Sequence, residues 1–592
     1  MPDWSYHVLF QPILTKLSPY SSREFIHRRM NTIASLPFGS QIIHFLGREE
    51  CSPKLRQDLG GIEFKNPVGL SGKIDPLLSG TKAFSNLGFG FLELGPITLK
   101  PRVDAQLPTI NREKHLISFP AKPESIGIDA TIQTIMKVKK KQPLLLKLSG
   151  TIDEISTMMD QLDPYADEYI VEAIDATFAS QSSKPIYLTL SCEKVKNLTE
   201  IPHYFSGIVL NTTHNEGDQL IRNIHQLRSI GFSKSIITSG AIEEPEQALG
   251  LLDSGADLVM LSDGYVFSGP GLTKRINEAL LDRMEQPLFK QEGWLAYWLF
   301  GLFILLGGIL AFLFSLTTII LPYDEAFLKM KKEAIWKFNN RVMLFMAHDR
   351  MTLAGTMISG GIVYMTLAKY GIKEGLKWAK QATDTAAIVG FLGIFLFIGY
   401  GYFDWLHLLF WLVLLPFFLY GFYKTKGITG TPTSPNRKNH TIWRRALYGQ
   451  FFFVVLGFSF VIGGIVISLY GVTAIFVPTD LLYICMSPEQ LQSFNERLIP
   501  VIAHDRAGFG SALLSVGLLV LMLALWGFQQ GKKWVWWTFF IGGLPAFFTA
   551  IYIHFAIGYT SFIHLLPAYF ALALFFSGLL ASYSFFHKNR DE

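Results

Sequence analysis

Residues 293–323, GWLAYWLFGLFILLGGILAFLFSLTTIILPY, run for 31 positions without an Asp, Glu, Lys or Arg. A bilayer core of about 30 Å needs about 20 apolar helical residues, so this stretch is long enough to span one. Before it the chain carries most of its acids. After it, residues 293–586 are dominated by Leu, Phe, Ile, Gly and Trp. The sequence therefore reads as a soluble domain joined to a membrane domain.

At 592 residues the chain is too long for one core. Its 52 basic and 47 acidic residues leave a net charge of +5, small for this length, and no nucleic-acid partner is expected. Cys51, Cys192 and Cys485 lie far apart, which excludes a disulfide framework and a CxxC motif. The opening MPDWSYHVLF lacks a basic stretch followed by an apolar core, so no signal peptide is expected and the first domain should stay where it is made.

Within residues 5–47, apolar and basic positions alternate at helical spacing, as in Phe25, Ile26, Arg28, Arg29 and Met30. Short amphipathic helices are predicted, either capping a domain or lying on a membrane surface. Eight short apolar runs follow, at 67–72, 89–95, 143–150, 168–174, 185–191, 207–213, 235–241 and 258–264. Helix-like stretches separate most of them. Buried strands alternating with helices predict a parallel sheet, and eight predict a closed (β/α)8 TIM barrel with its chemistry at the strands' C-terminal ends. Those ends read Leu70-Ser71-Gly72, Asn211-Thr212-Thr213, Thr238-Ser239-Gly240-Ala241 and Leu261-Ser262-Asp263-Gly264. Small residues after strands seven and eight let backbone N–H groups approach a phosphate. They also serve as ordinary turns with Ser and Asp caps.

The segments GGIEFKNPVGLSGKID, LGFGFLELGPITLKPR, IVLNTT and DSGADLVMLSDGYVFSGPGLTKRINEAL resemble the FMN-dependent dihydroorotate dehydrogenases. The helices before Gly60 are similar to the quinone-entry extension of the membrane-associated class, and the resemblance covers roughly residues 5–285. It implies a flavin barrel that passes electrons from dihydroorotate to quinone, with FMN on the turns after strands seven and eight. The matching positions are Gly72, Asp75, Asn211, Thr212, Gly240, Gly264, Gly269 and Pro270. Together with the strand ends they give a cofactor set of Gly72, Asp75, Asn211, Thr212, Ser239, Gly240, Ser262, Asp263 and Gly264.

The chain departs from that family at positions that carry its chemistry. The Lys that follows the strand-one Asp is replaced by Pro76, and the flavin-facing Thr of strand two by Pro96. The orotate-gripping segment is replaced around Phe119-Pro120-Ala121-Lys122. The segment holding the general base aligns with 173–178, which puts Ala173 in place of Asn and Ala176 in place of the base. The strand-five Lys falls at Thr189 and the strand-eight Tyr at Ser262. Proton abstraction from carbon needs a base within reach. Asp175 is the one candidate for a displaced base, although a strand-end Asp is also a common cap or turn former.

After the first span, seven more are predicted at about 352–368, 384–401, 404–423, 446–472, 508–527, 534–557 and 562–586, eight in all. With the barrel inside, basic clusters such as Lys424, Lys426, Arg437, Lys438, Arg444 and Arg445 fall on the cytoplasmic side, as do Lys532 and Lys533. Residues 324–350 dissent, carrying six basic residues on the expected outer side. The expectation is a multi-pass plasma-membrane protein with the barrel and both termini cytoplasmic.

The membrane half is also a duplication. At an offset of 156 residues, Phe338-Asn339-Asn340-Arg341 matches Phe494-Asn495-Glu496-Arg497, and Ala347-His348-Asp349-Arg350 matches Ala503-His504-Asp505-Arg506. Asp324 matches Asp480 and Gly361 matches Gly517. With one residue inserted, His407 matches His564. The expected domains are an amphipathic extension (1–50), the barrel (51–290), a first four-helix repeat (291–425), a basic linker (426–445) and a second repeat (446–592). His348, Asp349, Arg350, His407, His504, Asp505, Arg506 and His564 form a candidate outer-face site for a metal, a quinone head group or a lipid phosphate. The alternative is that each Asp pairs locally with the Arg beside it and only holds its helix end. His554 has Phe397 at its repeat position and reads as a packing residue.

Three functions fit this reading: a flavin oxidoreductase linked to quinone, a barrel that binds a small molecule at its mouth without turning it over, and a transporter or lipid-binding bundle.

Overall fold

Alternation along each strand sorts the barrel's side chains into an outer and an inner row. In the computed structural model, the described residues are 2–48, 52–111, 113, 116–172, 182–195, 202–212, 216–284, 292–393, 395, 401–430 and 432–588. Eight parallel strands occur within them: Val68–Leu70 (β1), Phe91–Ile97 (β2), Leu144–Leu148 (β3), Glu168–Val171 (β4), Ile186–Ser191 (β5), Gly207–Asn211 (β6), Ser235–Ser239 (β7) and Leu258–Leu261 (β8). Each pairs with the next, and β8 returns to β1 through Val259 beside Val68, so the sheet closes. This is the expected barrel.

Leu144, Leu146 and Leu148 face outward into a core shared with helices such as Ile152–Leu162 and Leu272–Arg283. The inner row starts apolar at the strands' N-terminal ends, with Phe91, Leu145, Ile170, Tyr187, Val209, Ile237 and Met260. An antiparallel hairpin, Gln57–Leu59 with Ile62–Phe64, closes that end and sets Phe64 edge-on to Phe91 at 5.5 Å. Two residues further along each strand, the same inner row becomes Glu93, Lys147, Glu172, Thr189, Asn211, Ser239 and Ser262. The barrel is thus an apolar plug with a polar rim at its C-terminal end.

Chain contacts divide the molecule into two units, 1–285 with Thr433–Trp443, and 286–432 with 444–592. The first therefore includes the middle of the expected linker. There, Asn439 donates to the Glu243 carbonyl at 2.8 Å, and Arg437 pairs with Asp282 at 3.2 Å. Helices Pro19–Ser35 and Gly39–Gly47 also belong to this unit and leave Phe25, Leu36, Phe38 and Ile42 exposed.

The second unit holds Trp294–Thr317 (α1), Asn340–Leu367 (α2), Lys377–Gly393 (α3), Trp405–Lys424 (α4), Thr441–Val472 (α5), Leu498–Trp526 (α6), Lys533–Ile557 (α7) and Phe562–His587 (α8). Among the described residues seven helices, all of these but α3, are long and apolar enough to cross a membrane. The span expected at 384–401 runs past the end of α3 into residues that are mostly outside those described. Much of 324–350, the basic stretch on the expected outer side, is two short helices, Pro322–Leu328 and Lys332–Phe338, followed by the start of α2. Pro478–Ile484 and Pro488–Phe494 repeat the pattern before α6.

Close approach fixes the helix pairs within each repeat. A Cβ on Gly361 of α2 would sit 2.6 Å from the Leu305 nitrogen of α1, and one on Gly517 of α6 would sit 2.8 Å from the Val461 nitrogen of α5. Small residues let apolar helices pack at short range. The repeats also interlock, with α2 packing on α7 and α6 on α3.

Candidate functional site

The barrel's polar rim surrounds a cavity of about 350 Å3, lined by Lys73, Glu93, Lys147, Glu172, Thr189 and Asn211, with Phe119 and Pro120. Lys147 pairs with Glu172 at 3.0 Å, Ser71 donates to Glu93 at 3.0 Å, and Asn211 donates to Thr189. The Lys73 ammonium lies over the Phe119 ring at 5.6 Å. Burial and the neighbouring Lys147 push Lys73 down to about 8, while Glu93, Asp263 and Glu172 pull the other way. Lys73, Glu93, Lys147 and Glu172 were missed as site residues. For Glu93 and Lys147 the signal was present: a single charge inside an apolar strand, as in FLELG or LLLKL, has to face a polar space.

The expected cofactor residues divide into two groups. Asn211 and Ser239 are register partners on β6 and β7, and the Thr212 N–H donates to the Ser239 carbonyl at 3.0 Å. The Gly240 N–H donates to Met260 at 3.3 Å, and Ser262 and Asp263 are buried at the head of the next turn. These residues converge at the strand-seven and strand-eight ends. Asp75 is directed elsewhere. Its carboxylate meets His27 at 3.3 Å and accepts from Gly80 N–H at 3.1 Å and Thr81 at 2.9 Å, tying the β1 loop to the Pro19–Ser35 helix. Burial works to raise its pKa, but the His27 and Thr81 bonds hold it below the usual carboxylate range. Thr212 donates to Glu216 at 2.8 Å. Asp175 lies outside the described residues.

The retained glycines answer to chain packing. A Cβ at Gly72 would meet the Gly95 oxygen at 2.5 Å, one at Gly240 the Thr212 oxygen at 2.4 Å, and one at Gly264 the Ile242 oxygen at 2.0 Å. The residues nonetheless fit a flavin on two counts. The rim joins cations to amide and hydroxyl groups around a ring-sized space. The Ser239 hydroxyl, fully buried at the end of β7, has no hydrogen-bond partner among the described residues.

In the second unit the repeated polar residues pair across the repeats. Arg350 donates from Nε to Asp505 at 2.7 Å and from Nη1 to Asp324 at 2.7 Å. Arg506 faces Asp349 at 3.5 Å and donates to Asp480. The expected alternative of local Asp–Arg pairing is corrected: Asp349 and Asp505 each meet the arginine of the other repeat. The rings follow the same rule. His348 of α2 meets His554 and His564 of α7 and α8, while His504 of α6 meets His407 of α4 and Asp404 at its N-cap. His554 is thus a member of the cluster and not a packing residue; lacking a repeat counterpart, it gave no signal in the duplication. Beside Asp404, His407, Arg350 and Asp505 opens a cavity of about 490 Å3 whose other walls are apolar, among them Phe303, Leu310 and Phe410.

Comparison with known proteins follows the barrel. No protein-family model matches the chain. It is similar to the dihydroorotate dehydrogenase (quinone) of Nautilia profundicola, 23% identical over 349 residues, which span 49% of this chain and 94% of that one. The enzyme of the same name from Christiangramia forsetii is 23% identical over 351 residues (47% and 99%), and that from Yersinia pseudotuberculosis 24% over 339 residues (46% and 98%). Among solved structures, dihydroorotate dehydrogenase from Eimeria tenella in complex with ferulenol matches with a TM-score of 0.37 and 18% identity, covering 45% of this chain and 91% of that one. The N-terminal half resembles this family.

Proposed function

We propose that the protein is a membrane-integrated flavin oxidoreductase of the dihydroorotate dehydrogenase type, with FMN at the barrel mouth and quinone as electron acceptor. The observation that carries this is the polar rim around the 350 Å3 cavity, on a barrel similar to that family. Asn211, Thr212, Ser239, Gly240, Ser262, Asp263 and Gly264, with Gly72 at the end of the neighbouring β1, would hold the cofactor's phosphate arm; Lys73 and Thr189 would face its ring. Bound there, FMN would supply hydride acceptance from a reduced substrate and return of two electrons to an acceptor. Lys73 can hold or release a proton at Nζ near neutral pH, which suits an anionic ligand. The Lys147–Glu172 pair keeps a second cation at the rim. Asp75 holds the β1 loop through His27 instead of touching the ligand. Asp175, one position before Ala176 in the sequence, is the candidate for a displaced base. The exposed apolar residues of the N-terminal helices suit contact with lipid and quinone.

A second reading has its own observation. With Ala176 at the base position and Pro76 in place of the substrate Lys, the barrel would bind a small molecule without turning it over and would regulate or anchor the membrane unit.

The topology follows from a parity argument. Thr433–Trp443 follows α4 and includes the first residues of α5, yet belongs to the barrel's unit. A chain that returns after α4 to the side it left before α1 makes an even number of crossings in between. On that reading α3 would be a span together with α1, α2 and α4, for eight spans in all. The basic residues of that linker favour the cytoplasm for the barrel and both termini, in the plasma membrane.

The test is flavin content. The full chain purified in detergent should be yellow and release FMN on acid denaturation, at about one per chain. A colourless protein that also fails to take up added FMN overturns the flavin reading. FMN binding without flavin reduction by dihydroorotate selects the second reading.

A further inference from the structure

Two clusters in the membrane unit each bring three metal-ligating side chains together. In one, His348, His554 and His564 offer nitrogens all within 4.8 Å of one another; in the other, a carboxylate oxygen of Asp404 and nitrogens of His407 and His504 lie within the same distance. We propose that these are paired sites for a divalent transition-metal ion of the zinc class, one built from His348, His554 and His564 and its counterpart from Asp404, His407 and His504.

The first cluster carries the argument through its protons. His554 Nδ1 lies 2.5 Å from the Ala550 carbonyl, which can only accept, so Nδ1 bears the hydrogen and Nε2 of the neutral ring is bare. His348 Nδ1 lies 2.8 Å from the Asp349 carboxylate, which faces Arg506 and also accepts, so in the neutral ring the His348 Nε2 is bare as well. These two nitrogens are 3.1 Å apart. Two lone pairs at that distance repel unless a positive species lies between them. Two nitrogens on a tetrahedral zinc, each about 2.0–2.1 Å from the ion, stand about 3.3 Å apart, close to what is observed. The ring of His564 closes the third side, 5.0 Å from that of His554.

The surroundings repeat. In both copies the residue after the helix histidine is an Asp that meets its Nδ1, Asp349 at 2.8 Å and Asp505 at 3.2 Å. That bond leaves Nε2 for the cluster, as a carboxylate does behind a metal-bound histidine. In both copies a tyrosine packs on the cluster, Tyr559 stacked on His564 at 4.0 Å and Tyr402 edge-on to His504 at 4.9 Å. The third ligand does not repeat. Asp404 has Ser561 at its repeat position, and His554 has Phe397. Each cluster reaches three donors by a different route, which packing alone does not require. Two histidines with a carboxylate, or three histidines, leave a fourth position open on a zinc-class ion. Asp404 and His407 border the 490 Å3 cavity, which gives that site a way in.

The test uses the full chain in detergent, stripped with a chelator and titrated with Co2+. Visible d–d absorption that Zn2+ abolishes is expected, saturating at about two ions per chain. His554→Gln should remove about one of them and Asp404→Asn should weaken the other, with elution volume and flavin content unchanged. If either variant fails to fold, the wild-type cobalt spectrum decides alone. Wild-type protein with no cobalt absorption and no retained metal, or a stoichiometry that His554→Gln leaves intact, overturns the proposal and leaves a shared proton between His348 and His554.

Discussion

Phe338 and Phe494, which occupy the same position in the two membrane repeats, stack on each other with ring centres 3.6 Å apart and planes within 6°. Their neighbours exchange bonds reciprocally: Asn339 donates to the Ile484 carbonyl at 2.8 Å, and Asn495 to the Leu328 carbonyl at 3.0 Å. The local two-fold passes between those rings, and it explains why charges that follow each other in sequence are partners in trans.

Arg350 and Asp505 are one such pair. Asp505→Ala leaves the Arg350 guanidinium facing Asp324 alone, and losing one partner of a buried pair typically costs about 3–5 kcal/mol. The unfolding midpoint in detergent should fall by several degrees. Arg350→Met combined with Asp505→Met should cost less than the two single losses summed, as a double-mutant cycle would measure.

Glu168 is fully buried at the start of β4, with the Tyr187 hydroxyl 3.3 Å away. Burial pushes its carboxyl up to about 8. The folded chain therefore keeps this proton where the unfolded chain has lost it, so this stability is full below about pH 4.5 and is lost as pH rises through about 8. Glu168→Gln should flatten that decline and raise stability at about pH 8 by an amount on the order of 1–3 kcal/mol, read from chemical unfolding followed at several pH values.

Lys73 carries its charge only below about pH 8. Affinity for FMN or another anion at the mouth should weaken as pH rises through that value, and Lys73→Met should remove the pH dependence and lower affinity roughly tenfold at neutral pH. The folded chain releases this proton before the unfolded chain does, so the barrel's stability should rise between about pH 8 and about pH 10. Equilibrium dialysis against pH measures the first effect and unfolding curves the second.

Asp75 holds the N-terminal helix through a carboxylate whose pKa is lowered. That contribution is present above the ordinary carboxylate pKa of 3.8 and is lost as pH falls through the lower folded value. Asp75→Asn should loosen the Pro19–Ser35 helix at neutral pH, seen as faster proteolysis within it, while the barrel's own unfolding changes less.

Gly264 tests the role of the retained glycines. Gly264→Ala drives a methyl to 2.0 Å from the Ile242 oxygen, whereas Gly250→Ala meets nothing within 4 Å. The first should destabilise the barrel by roughly 2–4 kcal/mol even without flavin, and the second should be neutral or stabilising.

The barrel was legible because buried parallel strands are short apolar runs at regular spacing; all eight fell where they were expected. The duplication was legible because an offset of 156 aligned His348 with His504 without a gap. Which residues meet was not. An offset states equivalence, and a two-fold turns equivalents into reciprocal contacts, so Arg350 found Asp505 instead of Asp349. His554 and Asp404 have no repeat counterparts and therefore left no trace in that comparison. Asp75 matched a family position, yet its direction depended on His27, 48 positions earlier and unremarkable by itself.

Because each helix histidine is completed by side chains from the opposite repeat, a chain carrying a single repeat would hold only fragments of both clusters. Two such chains could restore them by docking symmetrically. The fused form reads as a tethered homodimer whose halves then diverged, one recruiting His554 and the other Asp404. Separate expression of 286–432 and 444–592 should accordingly yield partners that recognise each other.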